Sequence, residues 1–202
     1  MKQTVAKDLI DIKAVQIKTE NYFTWTSGIK SPIYCDNRLT MSYPPVRENI
    51  VQAFSQMVNQ LPNKPDVIAG CATAGIPHAA WLADHLNLPM VYVRSDRKSY
   101  GKQNQIEGHF KKDDHILVIE DLISTGGSSI DVALALREAG AIVTDVFAIF
   151  TYGLKRAKEN FKQAKLKVQT ITSFDAMVHM LLDDREISEA EYRSLIQWRD
   201  AL

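Results

Sequence analysis

The chain has 202 residues, 46% of them hydrophobic, and its 24 Lys+Arg balance 24 Asp+Glu to zero net charge. That length and apolar share support one sizeable core, and the absence of a basic excess argues against a non-specific nucleic-acid binder. No apolar run approaches the ~18 residues of a membrane span, no secretory leader is legible, and Cys35 and Cys71 lack metal-site spacing, so the expectation is a soluble cytoplasmic protein with reduced thiols.

Val5, Leu9, Ile12 and Val15 recur near helical spacing and predict an N-terminal helix within residues 4–17. Residues 21–36 are aromatic and β-branched, interrupted by Ser27-Gly28, and predict an irregular hairpin. Pro44-Pro45 opens a second helix with Val46, Ile50, Phe54, Met57 and Leu61 on one stripe. From Asp66 onward short strands alternate with helices. Val67–Ala69 is a strand ending at Gly70, 77–86 a helix, and Met90–Val93 a strand ending at Arg94. A polar stretch over 95–105 precedes a candidate strand at Ile106–Phe110. His115–Ile119 is a strand, Ser128–Ala139 a helix closed by Gly140, and Ala141–Phe150 a strand. A helix near 154–164, a strand near 166–171 and two helices from Phe174 complete the chain. This alternation predicts an α/β fold, a mainly parallel sheet flanked by helices.

In such a sheet, ligands collect outside the carboxyl ends of the strands, where 70–77, 94–105 and 120–128 all fall. Residues 116–129 carry the most chemistry. An apolar run ends in adjacent carboxyls, Glu120 and Asp121, and the turn Ser124-Thr125-Gly126-Gly127-Ser128 then opens onto a helix. Glycines let backbone N–H groups converge on a phosphate at a helix N-terminus, and carboxylates suit sugar hydroxyls, so a phosphorylated ribose satisfies both ends. Gly70 and Gly75 have P-loop glycine spacing, but Ile76 stands where the lysine is required, and no dinucleotide-binding Gly-x-Gly-x-x-Gly is present.

The 116–129 run resembles the phosphoribosyl diphosphate (PRPP) signature of the type I phosphoribosyltransferases. Phe23 to Arg38 is similar to the N-terminal hood of the orotate phosphoribosyltransferases, Ala72-Thr73-Ala74-Gly75-Ile76-Pro77 to their pyrophosphate loop, and Arg94 to Gly108 to their mobile catalytic loop. The resemblance covers residues 20–150 or so and implies a type I phosphoribosyltransferase fold in one domain. That domain comprises a hood at about 20–40, a core at about 44–172 and C-terminal helices at about 173–202. The activity it implies is transfer of ribose 5-phosphate from PRPP to N1 of orotate with release of pyrophosphate.

The resemblance also assigns residues. PRPP binding falls to Arg94, Lys98, Tyr100, Glu120, Asp121, Leu122, Ile123, Ser124, Thr125, Gly126, Gly127 and Ser128; Ser124 also contacts orotate, and Lys98 is the catalytic candidate. Arg97 and Lys102 are secondary candidates, Lys30, Tyr34 and Cys35 lie in the hood, and Trp25, Trp81 and Trp198 are expected to pack. Mg²⁺ is the implied cofactor, held mainly by PRPP oxygens and water without a protein cage. A homodimer with shared sites is implied, with no nucleic-acid or membrane partner. Tyr100 departs from the family, many of whose members have histidine there, and it cannot carry that residue's charge. The alternatives are a purine-type phosphoribosyltransferase and a non-catalytic PRPP-binding regulator. The hood argues against the first; zero net charge and retained Lys98 argue against the second.

Overall fold

A computed structural model describes residues 2–24, 30–94 and 105–202. Helix α1, Lys2–Asp11, buries Val5 and Leu9. It stops short of the expected 4–17 span. Lys13 turns the chain with φ +60°, and the alternation Val15-Gln16-Ile17 leads into β1, Val15–Ile17. There Val15 pairs antiparallel with Cys35 of β4, Ile33–Cys35, so a long-range partner takes the β-branched residues from the helix. The hairpin is formed by β2, Phe23–Thr24, and β3, Lys30–Ser31. Ser27-Gly28 and Trp25 fall outside the described residues.

Helix α2, Pro44–Asn59, begins at its prolines and buries Val46, Ile50, Phe54 and Met57; Leu61 lies past its end. Strand β5, Val67–Cys71, is buried throughout. Helix α3, Gly75–Leu86, starts two residues before the expected 77 and ends at left-handed Asn87. Strand β6, Met90–Val93, is followed by β7, Ile106–Glu107, which is shorter than the expected 106–110 because Gly108 turns away at φ +104°.

Strand β8, Ile116–Ile123, runs past the expected end at Ile119, so Glu120 and Asp121 lie within it. Its pairing with β9, Asp145–Thr151, carries it onward, Glu120 opposite Ala148 and Ile123 opposite Thr151. Strand β9 starts four residues after the expected Ala141: Ile142 makes only an isolated bridge to His115. Helix α4, Gly127–Glu138, and α5, Lys155–Gln163, alternate with these strands. After β10, Lys167–Ser173, come α6, Phe174–Asp183, and α7, Glu189–Asp200, the latter opened by a Ser188/Glu191 capping box.

The sheet runs β10-β9-β8-β5-β6-β7, parallel except for the β7 edge. Chain order reverses between β5 and β8. Right-handed crossovers to opposite sides therefore place α3 and α4 on opposite faces and open a crevice between the two strand ends. Helices α1, α2 and α3 pack side by side on one face; α4 and α5 pack against the sheet through β8 and β10. Across the core, Phe54 of α2 stacks with Phe147 of β9 at 6.5 Å.

At the crevice α3 presses on β8. A Cβ on Gly75 would stand 2.5 Å from the Ile119 carbonyl oxygen and 3.3 Å from Glu120 Cα, both backbone atoms that cannot rotate away. Gly75→Ala is therefore expected to destabilise the fold by about 1–3 kcal/mol, the cost of overpacking a closed interface. Chemical denaturation would detect it, and an unchanged midpoint would show that the approach is not required.

Candidate active site at the carboxyl ends of the central strands

Glu120 is only 8% exposed and Asp121 is half-buried, on a strand hydrogen-bonded along both edges. The Glu120 carboxylate accepts the Asp121 backbone N–H at 3.0 Å and is hydrogen-bonded to the buried Cys71 thiol at the end of β5. Burial pushes the Glu120 carboxyl up to about 8, and the neighbouring Asp121 charge adds to the shift. Burial also raises Asp121, opposed by its hydrogen bond with Glu120 and by the Arg38 guanidinium. The two carboxyls titrate as a pair that retains a proton near neutrality. Burial, with Glu120 next to it, raises the Cys71 thiol well above its ordinary value.

Four residues beyond Glu120 begins the turn Ser124–Ser128. Ser124 is half-buried; Thr125, Gly127 and Ser128 are exposed. Gly126 caps α4 at φ +82°, and no side chain caps the helix. The first-turn N–H groups thus point to an open N-terminus, which favours an anion. The glycines differ. A Cβ on Gly126 would meet the Phe161 ring at 2.5 Å, whereas a Cβ on Gly127 would meet nothing within 4 Å. Among the described residues neither packing nor φ requires glycine at 127, and the space beside it is open. From α5, Asn160 donates to the Thr125 carbonyl at 3.0 Å and braces the turn. Leu122 and Ile123 occupy the last rungs of β8, opposite Phe150 and Thr151, and the Ile123 carbonyl accepts from the Tyr152 N–H and the Thr151 hydroxyl.

The other segments converge here. The loop after β5, including the cis peptide Ala72–Thr73, faces the crevice from its other side. Arg94 follows β6; its N–H donates to the Gln105 carbonyl and its carbonyl accepts from the Gln105 side chain, both at 2.9 Å. The Arg94 guanidinium lies 3.5 Å from Glu107. Lys98, Tyr100, Arg97 and Lys102 lie outside the described residues. In the hood, Lys30 donates to the Thr24 hydroxyl at 2.6 Å and so serves the hairpin. Tyr34 is exposed and Cys35 half-buried. Trp81 packs edge-on against His78 with Arg47 over its ring, and Trp198 packs on Phe174 and donates to the Lys30 carbonyl at 3.1 Å.

Three neighbours of the acid pair were not singled out from the sequence: Cys71, Asn37 and Tyr152. Asn37, fully buried, donates to the Asp121 carbonyl at 2.8 Å. Burial raises the Tyr152 phenol, with Cys35, Asp121 and Tyr34 close enough to add to the shift. No local pattern announces them, since each is brought in by tertiary pairing. Among the described residues, no cluster of three or more His, Cys, Asp or Glu forms a metal site, and no helix is long and apolar enough to cross a membrane.

A phosphoribosyl transferase domain family model matches residues 43–181. Over 202 residues, all of both chains, the sequence is 58% identical to an orotate phosphoribosyltransferase of Oceanobacillus iheyensis. The chain belongs to the orotate phosphoribosyltransferase family. Its fold is similar to the Aeropyrum pernix orotate phosphoribosyltransferase, with TM-score 0.78 at 26% identity over 88% of this chain and 97% of that one. It is similar too to Leishmania donovani UMP synthase, with TM-score 0.77 at 27% identity over 96% of this chain but 42% of that longer one. The expected type I phosphoribosyltransferase fold is thus found.

Two outcomes follow from the site. Gly126→Ala should lose about 1–3 kcal/mol through its left-handed φ and the Phe161 clash, while Gly127→Ala should leave stability within about 1 kcal/mol and weaken PRPP binding. Calorimetry of both variants checks this, and a Gly127→Ala protein binding PRPP normally would refute the cradle. The second outcome concerns pH. Because the folded Glu120 carboxyl lies near 8, above its ordinary 4.5, the native state keeps a proton that the unfolded chain loses. Its stabilising contribution is full below about pH 4.5 and disappears as pH rises through about 8. The melting temperature of ligand-free protein should fall across that window, and Glu120→Gln should flatten the fall; an unflattened slope would assign it elsewhere.

Proposed function

We propose that this chain transfers the 5-phosphoribosyl group of PRPP to N1 of orotate and releases pyrophosphate, a step of pyrimidine nucleotide synthesis. The observation that carries this reading is the buried Glu120–Asp121 pair followed directly by the open N-terminus of α4. In the proposed complex the 5′-phosphate lies in the 124–128 turn, on backbone N–H groups and the Thr125 and Ser128 hydroxyls. The ribose 2′- and 3′-hydroxyls meet Glu120 and Asp121. Leu122 and Ile123 connect the two halves of the PRPP site through the β8 backbone, and Ser124 faces orotate as well. Keeping one proton, the acid pair can both accept and donate hydrogen bonds to a diol.

As the C1–oxygen bond breaks, positive charge grows on the ribose and negative charge on the leaving pyrophosphate, and the protein's task is positioning and charge stabilisation. The proposed groups are Arg94, at the base of the 95–104 segment, and Lys98 within it, with Tyr100 a hydrogen-bond donor and Arg97 or Lys102 assisting. The donor set suits Mg²⁺ brought by the substrate: no protein cluster competes for it among the described residues, and the acid pair can reach it through water. Bound Mg²⁺ would neutralise diphosphate charge.

The proposal extends to assembly and location. One domain, with hood, core and C-terminal helices, functions as a homodimer with shared sites. Leu39 at 40%, Met41 at 40% and Tyr43 at 43% exposure offer apolar surface beside the hood for a second copy. The free thiols Cys35 and Cys71 suit the cytoplasm.

Incubation with PRPP, Mg²⁺ and orotate should consume orotate absorbance; turnover of a purine base instead would overturn the proposal. Lys98→Ala should lower kcat about 100-fold or more, the scale of one lost oxyanion donor, and change PRPP affinity far less. Mixing it with inactive Asp121→Asn should restore up to about a quarter of the sites if they are shared across a two-fold interface. Preserved kcat in Lys98→Ala would move the role to another residue.

A further inference from the structure

Asn37 stands at the junction of three parts of the site. It opens the 3-10 helix Asn37–Ser42 immediately after the hood strand β4, and it is fully buried. Its side-chain amide donates to the Asp121 backbone carbonyl at 2.8 Å, across 84 residues of chain. Its side-chain oxygen accepts from the Cys35 thiol at 3.5 Å. Its backbone carbonyl accepts from the Thr40 hydroxyl at 2.6 Å, and that hydroxyl lies 3.5 Å from Nε2 of buried His78 on α3, the helix that follows the 72–74 loop. One amide thus ties the hood to the peptide that carries a ribose-binding carboxylate, and through Thr40 to the helix behind the loop on the other side of the crevice.

The fold does not need this contact to pair its strands. The register of β8 is already set by β5 and β9, and that of β4 by β1. The Asn37–Asp121 bond fixes the distance between those two systems. The hood is also held by Trp198 at Lys30, on the hairpin, while Asn37 ties the end of the hood next to Tyr34 and Cys35 to β8.

We propose that Asn37 is a positioning residue: it fixes the hood against the Asp121 peptide so that a base beneath the hood is aligned with the ribose held by the acid pair. This rests on the orotate phosphoribosyltransferase reading above. The amide touches no substrate and acts through the segment it anchors. Alignment of two bound reactants affects the chemical step more than it affects the binding of either one. A loosened hood should therefore spare PRPP, whose proposed contacts lie on β8 and its turn and on Arg94 and the segment after it, and penalise the use of orotate.

The test uses the full-length protein and three variants. In wild type, orotate turnover checks the underlying reading independently. Asn37→Ala should lower kcat/KM for orotate about 10–100-fold, the scale of a small misalignment, while the Kd for PRPP by calorimetry stays within about threefold. Asn37→Asp, equal in size but without the donor, should behave like Asn37→Ala. Asn49→Ala is the control for loosening alone. Asn49 donates a comparable 2.7 Å bond to Asp8, joining α2 to α1 away from the crevice. It should lower the melting temperature and leave both constants unchanged. The proposal is overturned if Asn37→Ala or Asn37→Asp keeps kcat/KM for orotate within about threefold of wild type. Equal loss of PRPP affinity, or the same kinetic loss in Asn49→Ala, overturns it as well.

Discussion

Two carboxyl groups on a buried central strand are the constraint around which this structure is arranged. A strand flanked on both edges and covered on both faces is normally apolar to its end, and β8 is so through Ile119. Glu120 and Asp121 break that pattern within the sheet. Burying two charges side by side would cost several kcal/mol, and the pair avoids this by holding on to a proton. The surroundings supply the remaining compensation: the Asp121 N–H and the Cys71 thiol on Glu120, and Arg38 facing Asp121. Such a pair adds nothing to the core that leucine would not add better. Its place at a strand end beside the switch in strand order is explained by a polar ligand.

Glycines divide the labour around the same point. Gly75 and Gly126 serve the protein's own packing, the first letting α3 meet β8 and the second turning beneath Phe161. Gly127 has empty space where a side chain would be. A residue whose smallness no internal neighbour demands, placed at an uncapped helix N-terminus, is what an approaching phosphate requires. The crevice therefore has one wall shaped by internal contacts and another left for the ligand.

How far the sequence reveals this depends on the range of each interaction. The strands β5 and β6, the stripe of α2 and the Ser124–Ser128 turn are visible in local patterns because burial on both faces and turn chemistry act over a few residues. The end of α1 is not, because Val15 fits the helical stripe as well as a strand and only its pairing with Cys35, far along the chain, decides between them. The same holds for the last four residues of β8, carried on by β9 after the apolar run has ended. In the site, the carboxyl pair and the glycines carry a local signature. Cys71, Asn37 and Tyr152 carry none: a thiol at a strand end, an amide after a hairpin and a phenol after a strand are ordinary until the sheet places them around Asp121.

That difference in range bears on how such a site can change. In the proposed complex the contacts to the 5′-phosphate and ribose lie on one strand and one turn, so they persist wherever that segment folds. The alignment of a base is distributed. In the proposed complex it needs the hood, whose ties among the described residues include the Asn37 amide to β8, the Thr40 hydroxyl beside His78 of α3 and the Trp198 indole of α7, single hydrogen bonds worth about 1 kcal/mol net. The β1–β4 pairing and the parallel sheet are separate hydrogen-bonded systems, joined by these ties and by the buried Ile33 side chain. On the proposed reading the sugar phosphate is held by a strand of the core, and the base by a hood tied to that strand through side-chain contacts.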